Sequence, residues 1–349
     1  MRVLVTGGAG FIGSHVTDAL LDDGHAVVVV DSLHPAAHHN QPADLDPRAE
    51  YRWHSVLDRD ALADAMRGCD AVCHQAAMVG LGVDFADTTD YVIENDLGTA
   101  SLLRVIHDQG FVGRIVLASS MVVYGEGRYR CPSHRIVRPA PRDPADLVLG
   151  HFDPLCPVCG SQLASEAVPE DAPTDPRNVY AATKLHQEHL GTAYAIEHPD
   201  ATVTALRYHN VYGPRMPRDT QYAGVASIFR SALERGEPPR VFEDGAQMRD
   251  FVHVRDVARA NVLALTGPRA VSGPINVASG HPCSVLSAAS ALAEAFAPHL
   301  APEVVGSWRS GDVRHVFAST ERARSHLGFA AEIDFSEGIR EFATATLRN

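Results

Sequence analysis

Near its start the chain reads Val3-Leu4-Val5-Thr6-Gly7-Gly8-Ala9-Gly10-Phe11-Ile12-Gly13, a short apolar run followed by glycines at positions 7, 10 and 13 that opens directly into an apolar-periodic helix. A strand must turn sharply into a helix here, and each glycine has its own reason. Gly7 makes the tight turn, Gly10 lets backbone approach a pyrophosphate with no Cβ in the way, and Gly13 lets the helix lie close on the strand. The helix N-terminus then offers free N–H groups to an anion. Val27–Val30 reads as a second buried strand, and Asp31 closes it at the ~20-residue spacing of an acid that accepts from a ribose 2′-hydroxyl and repels a 2′-phosphate. The stretch predicts a dinucleotide cradle of the NAD type, with Gly7, Gly10, Phe11, Ile12, Gly13 and Asp31 as cofactor residues. An incidental glycine turn in some other α/β protein is the rival reading, and the flanking strands and the acid count against it.

The same alternation continues to about residue 125. Val3–Val5, Val27–Val30, Ala71–His74 and Arg114–Ala118 read as strands with helices between them, the signature of a doubly wound parallel sheet covered on both faces. Right-handed crossovers place every strand's C-terminal end on one edge, so the residues at those ends carry the chemistry. They are the glycine loop, Asp31, the run ending in Ala76 and Ala77, and Ser119-Ser120. The two alanines suit a backbone lying against a dinucleotide, and equally the ordinary close packing of a strand end.

With 349 residues, 45% of them hydrophobic, the chain has material for one large or two interlocked domains. Its net charge of −13 argues against nucleic acid or an anionic membrane as partner. No run approaches a membrane span and no charged-then-apolar leader precedes the first strand, which places the expectation in the cytoplasm. Of the 19 histidines, His34, His38 and His39 read as solvated loop residues.

Taken together, GGAGFIGSH, HQAA, NDLGT at 95–99, SSMVVYG at 119–125, Tyr180-Ala-Ala-Thr-Lys184, LRYHNVYGPR at 206–215, EDGAQMRDFVHVRDVA at 243–258, NVASG at 276–280 and RSGDVRH at 309–315 resemble the extended short-chain dehydrogenase/reductases of the nucleotide-sugar epimerase and dehydratase group. MVVYGEGRY, YAGVASIF and PPRVFEDG are similar to a subgroup that includes dTDP-L-rhamnose 4-epimerase-like enzymes. The resemblance implies a Rossmann domain over 1–212, to which 250–278 returns, and a smaller C-terminal α/β substrate lobe over 213–349. It implies Asn95 and Ser119 at the cofactor, Ser120 at the substrate oxygen, and Asn210, Arg249, Arg309 and Asp312 at the nucleotide-sugar phosphates and nucleotide. It also implies a homodimer built on the helix that carries Tyr180 and its neighbour. Two departures stand out: His209 occupies a position that is usually Phe, and Ser55-Val56 replaces an acidic start that contacts adenine.

Tyr180 and Lys184, four apart on a helix that begins after Asp175-Pro176, share one face. An ammonium beside a phenol stabilises phenolate and lowers its pKa, and an oxidised nicotinamide adds to this. Isolated Tyr-x-x-x-Lys pairs are common in helices, so the frame rather than the pair gives the reading its weight. In the related 4,6-dehydratases the two positions after Ser120 carry an Asp and a Glu. Here they are Met121 and Val122, which can neither donate nor accept the protons of an elimination.

Between Tyr124 and Tyr180 lies far more chain than the ~20 residues expected. This insertion, 128–168, contains Cys131-Pro-Ser-His134 and Cys156-Pro-Val-Cys159, half of the chain's six cysteines. Two Cys-x-x-ligand turns about twenty residues apart match a closed, structural zinc knuckle. A flexible loop with exposed thiols is the alternative, because His134 stands where the stronger pattern has Cys.

The reading is an NAD-dependent nucleotide-sugar epimerase, inverting carbon 4 of a dTDP- or UDP-hexose through a 4-keto intermediate. A 4-keto-sugar reductase, a nucleotide-uronic acid decarboxylase and, more remotely, a non-catalytic dinucleotide sensor remain as alternatives.

Overall fold

The computed structural model describes residues 1–35, 37–80, 85–218, 224–309 and 311–348. Tyr222 and Ala223 of YAGVASIF, and Ser310 of RSGDVRH, lie outside the described residues.

Seven parallel strands form one sheet: β1 (Arg2–Thr6), β2 (Ala26–Val30), β3 (Glu50–Arg52), β4 (Ala71–His74), β5 (Arg114–Ser120), β6 (Thr202–Tyr208) and β7 (Gly273–Val277). They lie in the order β7-β6-β5-β4-β1-β2-β3. Connections run outward in both directions from β1, so the crevice beyond the C-terminal ends of β1 and β4 is the topological switch point where such sheets take ligands. Side chains alternate between two apolar layers. Val3, Val5, Val27, Val29, Ala71, Cys73 and Val116 meet α1 (Phe11–Asp22) and the helix Val254–Thr266, whereas Leu4, Val28, Val30, Val72, Ile115 and Leu117 meet helices α2 (Arg59–Met66), α3 (Gly98–Asp108) and α4 (Val179–Glu197). Burial on both faces explains why these strands read as unbroken Val/Ile/Leu runs rather than as alternating ones. β3, at the edge and reading Glu-Tyr-Arg, has no such run and left no signal in the sequence.

α4 is set by local chemistry. Asn178 caps it, its Oδ1 accepting from the Ala181 N–H at 2.8 Å. A Cβ at Gly191 would stand 2.7 Å from the Leu117 side chain, so this glycine lets the helix lie close on β5. The smaller lobe gathers α5 (Val225–Glu234), α7 (Val285–Phe296) and α8 (Phe335–Thr344) around Phe229, Phe251, Leu292 and Phe342, with α6 (Val254–Thr266) bridging back to the sheet. Phe251–His253 pairs with Asn210–Tyr212 outside the large sheet, while Ala323, Leu327 and Phe329 pack under it. Within residues 128–166 three short strands, Arg135–Val137, Arg128–Cys131 and Ala164–Glu166, form an antiparallel sheet in that order. Among the described residues no helix is long and apolar enough to cross a membrane.

Candidate active site

The glycine loop leaves no room for side chains. Gly7 has φ +69°, and a Cβ there would lie 2.5 Å from the Ala76 nitrogen; a Cβ on Gly13 would lie 2.0 Å from the Gly7 oxygen. α1 starts from an extended Gly10 with no side-chain cap, so its first N–H groups keep their capacity for an anion. Asp31, 8% exposed, accepts from the N–H groups of Ala9 (2.9 Å) and Leu33 (2.8 Å). A cleft at this edge of the sheet is bounded by Gly7, Gly10, Asp31, Val56, Ala76 and Ala77, among others. These residues fit a dinucleotide: a turn open for phosphates, an acid at the ribose position, and apolar Val56 where the acidic adenine contact is missing.

The side chains of Phe11, Ile12, Asn95 and Ser119 turn away from this cleft, while the N–H groups of Phe11 and Ile12 belong to the open start of α1. Phe11 packs against the small lobe and Ile12 against the sheet, while Gly13 serves the turn. Asn95 is fully buried, its amide bonded to both backbone groups of Met78 (2.7 and 3.0 Å) and to the Thr183 hydroxyl (2.9 Å), so it positions the loop after β4. Ser119 is likewise buried and donates to Glu188, which holds Arg207 in a two-pronged pair at 2.9 and 2.7 Å. His38 is not solvated: its side chain is 7% exposed, with Nε2 4.0 Å from Asp31. Burial lowers its pKa, against the pull of Asp31.

Ser120 ends β5, and its Oγ accepts from the Val122 N–H at 3.4 Å as the chain turns. The Tyr180 phenol lies near enough to this hydroxyl for Ser120 to pull its pKa down. Lys184 lies on the same face of α4, its Nζ donating to the Ala118 carbonyl at 2.8 Å and standing 5.9 Å from the Tyr180 ring centroid. Burial pushes the phenol up to about 12, with Ser120 pulling the other way, and pushes Lys184 down to about 7 against the pull of Asp96 and Glu188. Without a dinucleotide in the cleft, burial outweighs the pull of Ser120 on the phenol.

On the far side of Ser120 a second cleft is lined by Met121, His209, Asn210, Val225 and Phe251. Neither ring nitrogen of His209, 3% exposed, nor the Asn210 Oδ1 has a hydrogen-bond partner among the described residues. Burial holds His209 down at about 4, hence neutral. Arg249 donates to the carbonyls of Met248 (2.8 Å), Val313 (2.7 Å) and Arg314 (2.8 Å), and Arg309 stacks over Phe242 at 5.0 Å. Burial raises the Asp312 carboxyl, opposed by Arg309 and Arg249.

Sequence reasoning missed the polar framework beneath the clefts. Thr6, His74 and Thr99 form a buried chain at 2.7 and 3.0 Å, and Gln75 donates to Tyr208 (2.9 Å) and Asn261 (3.0 Å). HQAA held half of that information, and its partners are distant in sequence.

In the insertion the donor atoms of Cys131, His134, Cys156 and Cys159 all lie within 4.8 Å of one another. Sγ of Cys131 is 3.7 Å from that of Cys159, and His134 Nδ1 is 3.5 Å from Cys131 and 3.7 Å from Cys156. A tetrahedron with metal–sulfur bonds of about 2.3 Å has edges of about 3.8 Å, which these separations match.

The model of the NAD dependent epimerase/dehydratase family matches residues 3–144 and 156–278, and the gap falls within the insertion. The chain is 34% identical to the dTDP-L-rhamnose 4-epimerase of Burkholderia thailandensis, covering 98% of this chain and 94% of that one. Among solved structures it resembles the Thermus thermophilus UDP-glucose 4-epimerase in complex with NAD (TM-score 0.77, 30% identity, 98% of both chains). It also resembles the Thermotoga maritima UDP-glucose 4-epimerase with UDP-glucose (TM-score 0.79, 28% identity, 98% of this chain and 97% of that one).

Proposed function

The chain belongs to the NAD dependent epimerase/dehydratase family, and from that premise we propose that it is an NAD-dependent nucleotide-sugar epimerase inverting carbon 4 of a dTDP- or UDP-linked hexose. The observation that carries the reading is Tyr180 placed near Ser120 at the sheet edge, with Lys184 on the same helix face and Met121 and Val122 as the two residues that follow Ser120. Tyr180 takes the 4-hydroxyl proton, Ser120 holds the same oxygen, and Lys184 supplies the positive neighbour of the phenolate. With no acid or base at 121 and 122, hydride transfer remains and elimination does not. Gly7, Gly10, Asp31, Ala76 and Ala77 would hold NAD, which when bound accepts the carbon-4 hydride, returns it to the other face, and adds positive charge that favours phenolate. Asn210, Arg249, Arg309 and Asp312 are the residues we assign to the nucleotide diphosphate.

Two further assignments accompany this one. Cys131, His134, Cys156 and Cys159 are taken to bind one structural zinc, supported by edge lengths that suit a tetrahedral ion. A homodimer across α4 and its neighbour is supported by exposed Val92, Ile93, Leu97 and Ile196 on adjoining surfaces. The test is incubation of the purified protein with dTDP-, UDP- and GDP-hexoses without added cofactor. A new carbon-4 stereoisomer is expected; steady NADH consumption with a keto-sugar, or release of carbon dioxide from a uronic acid, would replace the proposal.

A further inference from the structure

The insertion does more than fold around its own cysteines. Two of its side chains reach across to the segment 312–315, which follows Arg309 and lies beside Arg249. Arg142, 5% exposed at its side chain, donates to the Asp312 carbonyl at 2.7 Å and pairs with buried Glu243 at 2.7 Å. Asp153 pairs with Arg314, 1% exposed, at 2.7 Å, and Arg314 also pairs with Glu243 (2.9 Å) and Asp244 (2.6 Å). A third tie comes from the strand Arg128–Cys131. The Tyr129 hydroxyl donates to Glu126 at 2.6 Å, and Glu126 accepts from the Arg314 N–H at 2.7 Å. Arg249, assigned to the diphosphate, is in turn held by the carbonyls of residues 313 and 314.

These ties are rooted at the four donor atoms. Tyr129 is two residues from Cys131 on one strand, and Asp153 is three residues from Cys156. Arg142 lies between the two ligand pairs, its Nη1 donating to the Phe152 carbonyl at 3.3 Å. A segment this polar has no core large enough to fix these ends, and a metal joining 131/134 to 156/159 would do so.

We propose that the metal in the insertion acts as a clamp: by closing the two Cys-x-x-ligand turns it holds residues 312–315, and through them Arg249, in place for the nucleotide diphosphate, with Arg142 as the positioning residue that transmits the constraint. This rests on the zinc and nucleotide-sugar readings above. Holding the segment before ligand arrives removes part of the ordering cost from binding, so the clamp acts on nucleotide affinity rather than on hydride transfer.

The test uses the full chain with its bound dinucleotide, and measures zinc per chain, retained NAD, and calorimetric affinity for UDP and for dTDP. The wild type is expected to carry one zinc. Cys156→Ser/Cys159→Ser loses it and binds the better nucleotide on the order of tenfold more weakly, with NAD content unchanged. Arg142→Ala keeps its zinc and shows a similar loss, and Arg142→Lys recovers part of it. With a turnover assay in hand, both losses fall on KM and leave kcat within about twofold. A zinc-free variant with wild-type nucleotide affinity, or Arg142→Ala with none of the loss, overturns the clamp; if the double variant does not fold, Arg142→Ala decides alone. A wild type lacking zinc sinks the metal reading, and one that binds neither UDP nor dTDP sinks the nucleotide-sugar reading; either removes this inference as well.

Discussion

Lys184 donates from Nζ to the carbonyl oxygen of Ala118 at 2.8 Å, fastening the helix that carries Tyr180 to the strand two residues before Ser120. The ammonium is buried to do this, and its pKa falls to about 7. An unfolded lysine titrates near 10.4. Between about pH 7 and pH 10 the unfolded chain therefore binds a proton that the folded chain releases, so stability rises with pH across that window, while below pH 7 the penalty is full and constant. Lys184→Met should raise Tm by a few degrees at pH 7, by less as pH approaches 10, and should cut kcat by on the order of 10²-fold or more. Thermal scans of both proteins at pH 7, 8.5 and 10 check this; a Tm difference independent of pH would show that the lysine is not desolvated.

Tyr180→Phe removes only the phenolic oxygen, which lies near Ser120. Loss of the proton acceptor should lower kcat by about 10²–10⁴-fold, with NAD content unchanged and Tm within about 2 °C. Measuring turnover, bound dinucleotide and unfolding on one preparation separates this from a folding defect. Residual activity above a tenth of wild type would remove Tyr180 from the proton transfer.

How much of this was legible in the sequence depends on whether the signal was local. Glycines 7, 10 and 13 could be read because turn geometry and close approach act over a few residues, and β1, β2, β4 and β5 because burial on both faces makes strands continuous apolar runs. Edge strand β3 lacked that run. Asn95 and Ser119 sit in the motifs the family resemblance pointed to, yet their side chains turn to Thr183 and Glu188, partners about 70 to 90 residues away that no spacing announces. The direction of the Tyr180 shift also escaped the sequence, since it depends on how far burial outweighs the opposing pull of Ser120.

His209 offers a separable prediction. Asn276 has its side chain committed to Tyr124, Val168 and Ser319, and among the described residues both buried nitrogens of the imidazole, in the cleft it shares with Ser120, are without a partner. Unmet buried groups cost about 1–3 kcal/mol. His209→Phe should therefore hold or raise Tm while raising KM for the nucleotide sugar several-fold, because a neutral imidazole can both give and accept a hydrogen bond with a sugar hydroxyl. Unchanged KM in a protein of higher Tm would assign the histidine to packing alone.

The cofactor cradle can be tested by contrasting two glycines that differ in what surrounds them. Gly24 has φ +79°, and a methyl placed on it would meet nothing within 4 Å, so Gly24→Ala bears only the backbone cost of the left-handed region, about 1–2 kcal/mol, and should keep its NAD. Gly13 has no such φ, yet its Cβ would stand 2.0 Å from the Gly7 oxygen and 2.8 Å from the Gly7 carbonyl carbon. Those are backbone atoms of the turn itself and cannot step aside as a side-chain tip would. Gly13→Ala must push α1 off the loop, moving the uncapped N–H groups at its start away from where a pyrophosphate would lie. The expected result is a folded protein that has lost at least tenfold in NAD content after gel filtration, read from the dinucleotide released on denaturation. Equal NAD content in the two variants would mean that the helix start does not hold the phosphates.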